Sequence, residues 1–338
     1  MAEEVRHSPA WAATDPELSI LVSTFRRPHY LPGLFAALES QDLDPRRFEI
    51  VIVDNASKDD TWSALQAMAA ASQLAVCVGR LDENGGPATG RNAAVALARA
   101  PLLAFTDDDC MPEPQWAAEM LAALQGGARV VQGRTEPEAG VPREHWDHTI
   151  TVHATSVFFE TCNVGYRRDD VRAAGGFRPL AGYRAGRGGT PFGGEDTVLG
   201  WDVVRATGSP PEFANAAVVH HRIEPRDVRG WLHVRMGMAI FPALIANVPE
   251  MRNAFFLRWF FSRRSAAFDL AVVGLLSAFV LRSPLPLLAL LPYLSVLAPR
   301  SHRGLRTWAR RLGPYVLADM ASAWTLLRGS VRYRRLLL

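Results

Sequence analysis

Three consecutive aspartates, Asp107-Asp108-Asp109, follow the apolar stretch LLAFT at residues 102–106. Three carboxylates this close repel one another unless a cation or solvent offsets their charge. The alternate members, Asp107 and Asp109, can share one hard cation and its phosphate ligand, and Mg²⁺ or Mn²⁺ prefers such an oxygen-rich setting. The triplet also suits a solvated acidic turn or a cap ahead of Pro112. Asp54 closes a second apolar stretch in VIVDNASKDDT. There a carboxylate can accept from a ribose hydroxyl or a base N–H. Its plainer use is in a turn, since Asn55, Ser57 and Asp59 are turn formers. The Gly-rich stretch NGGPATGRN (84–92) opens a helical pattern. Such a turn lets backbone approach a phosphate, and Arg91 can pair with it. It lacks the GxGxxG spacing of a dinucleotide site. Glu195-Asp196 follows Gly193-Gly194 at a helix start, where a carboxylate serves as a general base or simply as a cap. His220-His221 ends another short apolar run and offers an imidazole for a metal or for structure. His145, His148 and His153 have no Cys companions, so no zinc site is expected among them.

These residues need elements to hold them. LSILVS (18–23), FEIVIV (48–53), residues 74–78 and LLAFT (102–106) are short apolar runs bounded by turn formers, and read as buried strands. Helical spacing over 28–40, 61–71 and 92–100 alternates with them. Strand–helix alternation at this spacing predicts a mostly parallel sheet covered on both faces. In such sheets ligands sit beyond the carboxyl ends of the strands. Asp54 and the aspartate triplet both lie at such ends. After residue 110 the rhythm weakens: 115–124 reads as a helix, 129–133 as a strand, 134–194 as loops with short elements, and 195–207 as a helix. Residues 1–16 read as a loose leader.

The 338 residues are 49% hydrophobic and 21% charged, which is ample for a core and incompatible with a mainly disordered chain. Cys77, Cys110 and Cys162 form no close pair, so neither a disulfide framework nor a Cys-rich zinc module is expected. The polar, acidic start is not expected to be a secretory signal. The sole lysine, Lys58, lies outside any GK[ST] context, which excludes a P-loop. The net charge of +3 hides an asymmetry: residues 1–225 carry 20 Arg/Lys and 30 Asp/Glu, and residues 226–338 carry 17 and 4. An acidic front half suits a soluble domain that holds divalent cations. A basic, apolar tail suits an anionic membrane surface rather than nucleic acid, because its charges flank long apolar runs.

The motifs also have an order. SILVSTFRRPHYLPGLFAALESQ (19–41), VIVDNASKDDT (51–61), NGGPATGRNAAVALA (84–98), LLAFTDDDC (102–110), CNVGYRRDDVRAAGGF (162–177) and GGEDTVLGWDVVRATG (193–208) together resemble the family 2 nucleotide-sugar glycosyltransferases of GT-A fold. The resemblance covers about two thirds of the chain. It implies an α/β, Rossmann-like domain over 17–230 and an enzyme of the glycosyltransferase class. It further implies that Thr24, Phe25 and Arg26 cradle the nucleotide, that Asp54 binds base or ribose, and that Arg91, Asp107 and Asp108 bind the rest of the donor. Asp109 and Asp107 become metal ligands for Mn²⁺ or Mg²⁺, with His220 completing the shell. Asn163 and Trp201 fall on the acceptor side. Asp196 becomes the catalytic base, with Glu195 beside it, in a single displacement with inversion. The competing reading is an inactive scaffold or nucleotide-binding protein of the same fold.

Residues 231–338 are expected to form a helical, membrane-associating region. Residues 266–281 and 283–299 are apolar runs on either side of Arg282-Ser283-Pro284, each near the lower limit for a span. Basic flanks at Arg263-Arg264 and 300–311 place both ends on the cytosolic side, as a hairpin or as a pair that never crosses. Processive relatives carry QxxRW near the membrane. Here Phe255 stands at the Gln position before Arg258-Trp259. Transfer of a single sugar to a lipid-linked or envelope glycan is therefore expected, at the cytoplasmic face of a membrane.

Overall fold

The computed structural model describes residues 2–180, 193–298 and 305–338. They fall into two compact units, the first ending at Glu224 and the second beginning at Pro225. The boundary lies at this Pro rather than at residue 230.

The first unit runs β1 (Glu4–His7), β2 (Leu18–Thr24), α1 (Leu31–Glu39), β3 (Phe48–Asp54), α2 (Thr61–Ala71), β4 (Val76–Arg80), α3 (Pro87–Leu97), β5 (Leu102–Phe105), β6 (Cys110–Pro112), α4 (Trp116–Gln125), β7 (Val130–Pro137), β8 (Val164–Arg167), α5 (Arg168–Ala173), α6 (Glu195–Thr207) and β9 (Glu212–His221). The strands form one sheet in the order β1-β4-β3-β2-β5-β8-β7-β9-β6. From β4 to β5 all pairs are parallel. Beyond β5 the sheet is mixed: β8 is antiparallel to both β5 and β7, β9 is parallel to β7, and β6 is antiparallel to β9. The expected parallel sheet is thus confined to one half. The other half is built from residues the sequence pattern left largely as loops, including half of β7 and all of β8.

Both faces of the sheet are covered, which is why its central strands read as unbroken apolar runs. Leu18, Ile20 and Val22 of β2 pack with Leu34, Trp62 and Trp116 of α1, α2 and α4. Leu21 of the same strand packs with Ala94, Val171 and Leu199 of α3, α5 and α6 on the other face. Helix α3 begins earlier than its apolar pattern indicates, because Pro87 occupies its first turn, where a fixed φ and a missing N–H cost nothing. Residues 1–16 are not a loose leader. Strand β1 adds antiparallel to β4, and the Ser8 hydroxyl donates to the Leu74 carbonyl at 2.6 Å while accepting from Val76 N–H at 2.9 Å. This extra strand covers the edge that β4 would otherwise expose.

The second unit is helical: α7 (Val228–Arg235), α8 (Ile240–Asn247), α9 (Arg263–Leu281), α10 (Leu291–Leu297) and α11 (Leu305–Tyr333). Ser262 starts α9 with a capping box, and Arg282, in the left-handed region, ends it. The chain then folds back through a 3₁₀ turn, Leu285–Leu290, into α10 as a helical hairpin. Gly274 permits this close return, since a Cβ there would lie 2.7 Å from Ala289 Cβ and from the Pro286 carbonyl. Arg264 of α9 and Tyr293 of α10 converge on Asp319 of α11 and tie the base of the hairpin to that helix. Pro299 and the basic flank from Arg300 to Arg303 lie outside the described residues.

Candidate active site

Strand register brings three sites together at one end of the parallel half. Thr24 pairs with Asp54 across β2 and β3, and Asp54 pairs with Arg80 across β3 and β4. Asp107–Asp109 leaves β5 beside them. A cavity of about 710 Å³ opens there, lined by Ser23, Thr24, Phe25, Arg27, Asn55, Asn84, Pro87, Arg91, the three aspartates and His221. A smaller one of about 360 Å³ lies against Ser57, Lys58, Arg80 and Asp82, with Glu3 and Glu4 at the start of β1.

The three aspartates take separate roles. Asp108 turns inward and is 3% exposed; it accepts from Thr24 Oγ1 at 2.6 Å and from Arg27 at 2.9 Å. Burial pushes its carboxyl up to about 6 against the pull of Arg27 and Thr24. Asp107 and Asp109 face the cavity, Asp107 3.2 Å from Arg91 and Asp109 2.9 Å from Arg27. Arg27 was not among the expected residues; Arg26 was. Arg26 adopts a left-handed φ of 55°, is exposed over the Phe25 ring, and among the described residues donates only its backbone N–H, to Ser57 Oγ. This twist delivers the next residue, Arg27, to the aspartates.

The histidine expectation is also corrected. Successive side chains on a strand face opposite ways. His220 points away from the aspartates and is held by Glu113 at 2.8 Å and the Pro137 carbonyl at 3.2 Å. His221 pairs with Cys110 across β9 and β6, and its Nε2 lies 3.7 Å from Asp109 Oδ1. Its Nδ1 lies 2.8 Å from the Arg222 carbonyl, a contact that requires the proton on Nδ1 and leaves the Nε2 lone pair free for a metal. Asp109, Cys110 and His221 bring their ligand atoms within 4.8 Å of one another. Burial, then Cys162 and the neighbouring acids, raises the Cys110 thiol well above its ordinary range. It stays protonated and is no ligand for a hard ion. The remaining donors, the Asp109 carboxylate and the His221 imidazole, fit Mn²⁺ or Mg²⁺.

Asp54 is fully buried. Its Oδ1 accepts from Ser57 N–H at 3.0 Å, while its Oδ2 has no hydrogen-bond partner among the described residues and lies 3.6 Å from Arg80 Nε. Burial raises its carboxyl, opposed by Ser57 and Arg80. Arg80 was not expected either; only the register of β4 exposes its proximity to Asp54. Asn55 donates to Asn84 Oδ1 and to the Gly86 carbonyl, which locks the Gly-rich turn to the end of β3. Gly86 has a φ of 86°, a conformation that disfavours a side chain.

Arg91 reaches from α3 to two carboxylates, Asp107 at 3.2 Å and Glu195 at 2.8 Å. It lines the cavity as a clamp between motifs rather than as a free phosphate contact. Burial opposes its charge, but Asp107, Glu195 and Asp196 raise its pKa overall. Gly193 and Gly194 enter α6 with φ of 99° and 82°. Glu195 is fully engaged, since its second oxygen accepts from Gly193 N–H at 3.0 Å. Asp196 differs: Oδ1 accepts from Thr197 N–H at 2.8 Å, and Oδ2 has no hydrogen-bond partner among the described residues. Burial and the charge of Glu195 push the Asp196 carboxyl up to about 7, with Arg91 opposing. Of the two acids, Asp196 is the one equipped to take a proton.

The acceptor-side expectations do not hold for Asn163. It is 3% exposed, accepts from Trp116 Nε1 at 2.8 Å, and donates to the Arg134 and Ala217 carbonyls. It is a strut between β7, β9 and α4. Trp201 donates its Nε1 to the Val157 carbonyl and meets Phe159 edge-on, so it supports α6 and does not line the cavity.

Comparison with known proteins now decides the class. Residues 19–180 match the family described as glycosyl transferase family 2. This segment is a family 2 glycosyltransferase domain. The glycosyltransferase AglE of Haloferax volcanii is 27% identical over 175 residues, covering 49% of this chain and 57% of that protein. Validoxylamine A glucosyltransferase of Streptomyces hygroscopicus subsp. limoneus is 32% identical over 132 residues, covering 38% and 29%. The chain thus spans about half or less of the length of these curated relatives. The glycosyltransferase domain has the GT-A fold: the mannosyltransferase PcManGT of Pyrobaculum calidifontis, solved with GDP-Man and Mn²⁺, superposes with a TM-score of 0.54 at 18% identity, over 91% of this chain and 87% of that one.

Proposed function

We propose that this glycosyltransferase moves one sugar from a nucleotide-diphosphate donor to a hydroxyl of a lipid-linked or cell-envelope glycan, with inversion at the anomeric carbon. The observation that carries this reading is the Arg91 clamp. It joins the aspartate turn after β5 to the head of α6 across contacts of 3.2 and 2.8 Å. This link between the cavity wall and the head of α6, where Asp196 stands, supports a shared site for donor and base.

In this reading the diphosphate lies in the larger cavity and the base points toward Asp54 and Arg80. Asp109 and His221 would hold a divalent cation, with Asp107 beside them on the cavity wall. Such an ion supplies charge neutralisation for the departing diphosphate. Arg27 and Arg91 add fixed positive charge at the same place. Asp196 accepts the proton of the acceptor hydroxyl as its oxygen bonds to the anomeric carbon. The bond from that carbon to the diphosphate oxygen breaks on the opposite face, and the electron pair leaves with the nucleotide. A carboxylate whose pKa lies near neutrality suits this task. Phe255, at the position where processive relatives have Gln, supports release after one transfer.

The tail supports work at the cytoplasmic face of a membrane. Helix α9 has 19 residues and a mean hydropathy of 1.7 in its most apolar stretch, and its flanks are basic.

The test is Asp196→Asn. Transfer should fall by about 10² to 10⁴-fold, while Mn²⁺-dependent stabilisation by the nucleotide sugar stays intact. Full transfer activity in this variant would remove Asp196 as the base.

A further inference from the structure

Helix α11 carries a feature that the hairpin does not explain. Leu317, Met320, Trp324, Leu327 and Val331 recur every three or four residues and are 54, 54, 62, 46 and 74% exposed. At 3.6 residues per turn they occupy an arc of about 80° and a length of about 21 Å. The opposite face is occupied by protein. Ala318, Thr325, Leu326 and Ser330 are buried, and a Cβ on Gly329 would lie 3.0 Å from the backbone of Ala239. The stripe is therefore a second apolar face, directed outward from a helix already packed on its inner side.

Charge identifies what covers it. Arg310, Arg328 and Arg332 fall along one margin of the stripe, within about 60° of its edge. The only acid between residues 305 and 338 is Asp319, and it is taken up by Arg264 and Tyr293. An apolar stripe with an unopposed basic margin matches the boundary between acyl chains and anionic headgroups. A second copy packed antiparallel on the stripe would set these arginines against their own equivalents.

We propose that α11 lies in the plane of an anionic bilayer surface, with the stripe from Leu317 to Val331 seated at headgroup depth. The proposal rests on the membrane reading above and makes it specific. The hairpin supplies depth, and α11 supplies lipid selectivity and fixes the orientation of its unit on the surface.

The experiment uses the full chain and vesicles of phosphatidylcholine with or without phosphatidylglycerol. Cys77, Cys110 and Cys162 are buried. Single Leu317→Cys, Trp324→Cys and Val331→Cys variants can therefore carry an environment-sensitive fluorophore. All three labels should be quenched about equally, and more by nitroxides near the headgroup than by nitroxides deep in the chains. A combined Arg310→Gln, Arg328→Gln, Arg332→Gln variant should lose at least about fivefold in affinity for anionic vesicles and little for neutral ones. Mn²⁺-dependent nucleotide binding, retained throughout, serves as the folding control. Labels that stay in water on vesicle-bound protein would overturn the proposal while leaving membrane association standing. So would depth that changes steadily from residue 317 to 331, or burial of the labels in a lipid-free dimer. Absence of all vesicle binding would overturn the membrane reading itself.

Discussion

The clearest division of labour at the residue scale is between Glu195 and Asp196. Both are acidic and adjacent, yet one is held by Arg91 and Gly193, and the other has an oxygen without a hydrogen-bond partner among the described residues. As the proposed base, with a carboxyl pushed up to about 7, Asp196 must lose its proton to act. The kcat/KM profile should fall about tenfold per pH unit below that point. The same shift has a consequence for stability. Its pKa is raised in the folded state, so the fold is favoured while Asp196 is protonated and loses that advantage as pH rises through about 7. Asp196→Asn should therefore melt a few degrees above wild type at pH 8 and show no such gain near pH 4; equal gains at both would contradict the assignment. Arg91→Ala leaves Glu195 buried without its cation. A loss of about 3 kcal/mol is expected, read by thermal unfolding, together with loss of transfer. Asp109→Ala should abolish the cation-dependent part of nucleotide binding. In wild type, ligand at 100 times Kd stabilises by about 2.7 kcal/mol, a difference visible by thermal shift.

Elements determine whether these residues meet. Helix α6 approaches the sheet through Gly200, where a Cβ would lie 2.1 Å from Phe159 Cγ. An aromatic ring fixed between Trp201 and the core cannot yield at that distance. Gly200→Ala should cost about 1–3 kcal/mol and shift the head of α6, so activity falls more than donor affinity. Unchanged melting and turnover would mean the ring moves freely. Asn163 does comparable work for the mixed half of the sheet. Gly133 leaves space for its amide, 2.3 Å from where a Cβ would stand. Asn163→Leu strands Trp116 Nε1 and two carbonyls, and should destabilise by about 3 kcal/mol without altering the pH profile of the remaining activity.

For the whole molecule, charge is segregated by unit: the sheet-bearing unit is acidic, and the helical one carries 17 of the 37 basic residues against four acids. The basic unit also carries the exposed apolar side chains at the hairpin tip, Phe279 at 84% and Val280 at 75%. Vesicle binding should weaken several-fold between about 0.05 and 0.5 M salt, as screening shortens the reach of surface charge, and should level off where the apolar contribution remains. Complete release at high salt would assign the contact to charge alone.

Much of this was legible in the residues. Apolar runs ending in Asp54 and in the aspartate triplet announced a covered sheet, because an unbroken apolar strand is stable only between two layers, and a cavity does open at those strand ends. The glycine pair before Glu195-Asp196 announced a sharp entry to a helix, since left-handed backbone favours glycine. What remained hidden required distance across the chain. The choice of His221 over His220, and of Arg27 over Arg26, depends on which way a strand residue or a twisted loop faces. A slip of one residue reverses that direction. The strut role of Asn163, the closeness of Arg80 to Asp54, and the joining of two motifs by Arg91 depend on register between strands and on helices docked from far along the sequence. Local pattern carries none of these, because the pairing that creates them exists only once the sheet has formed.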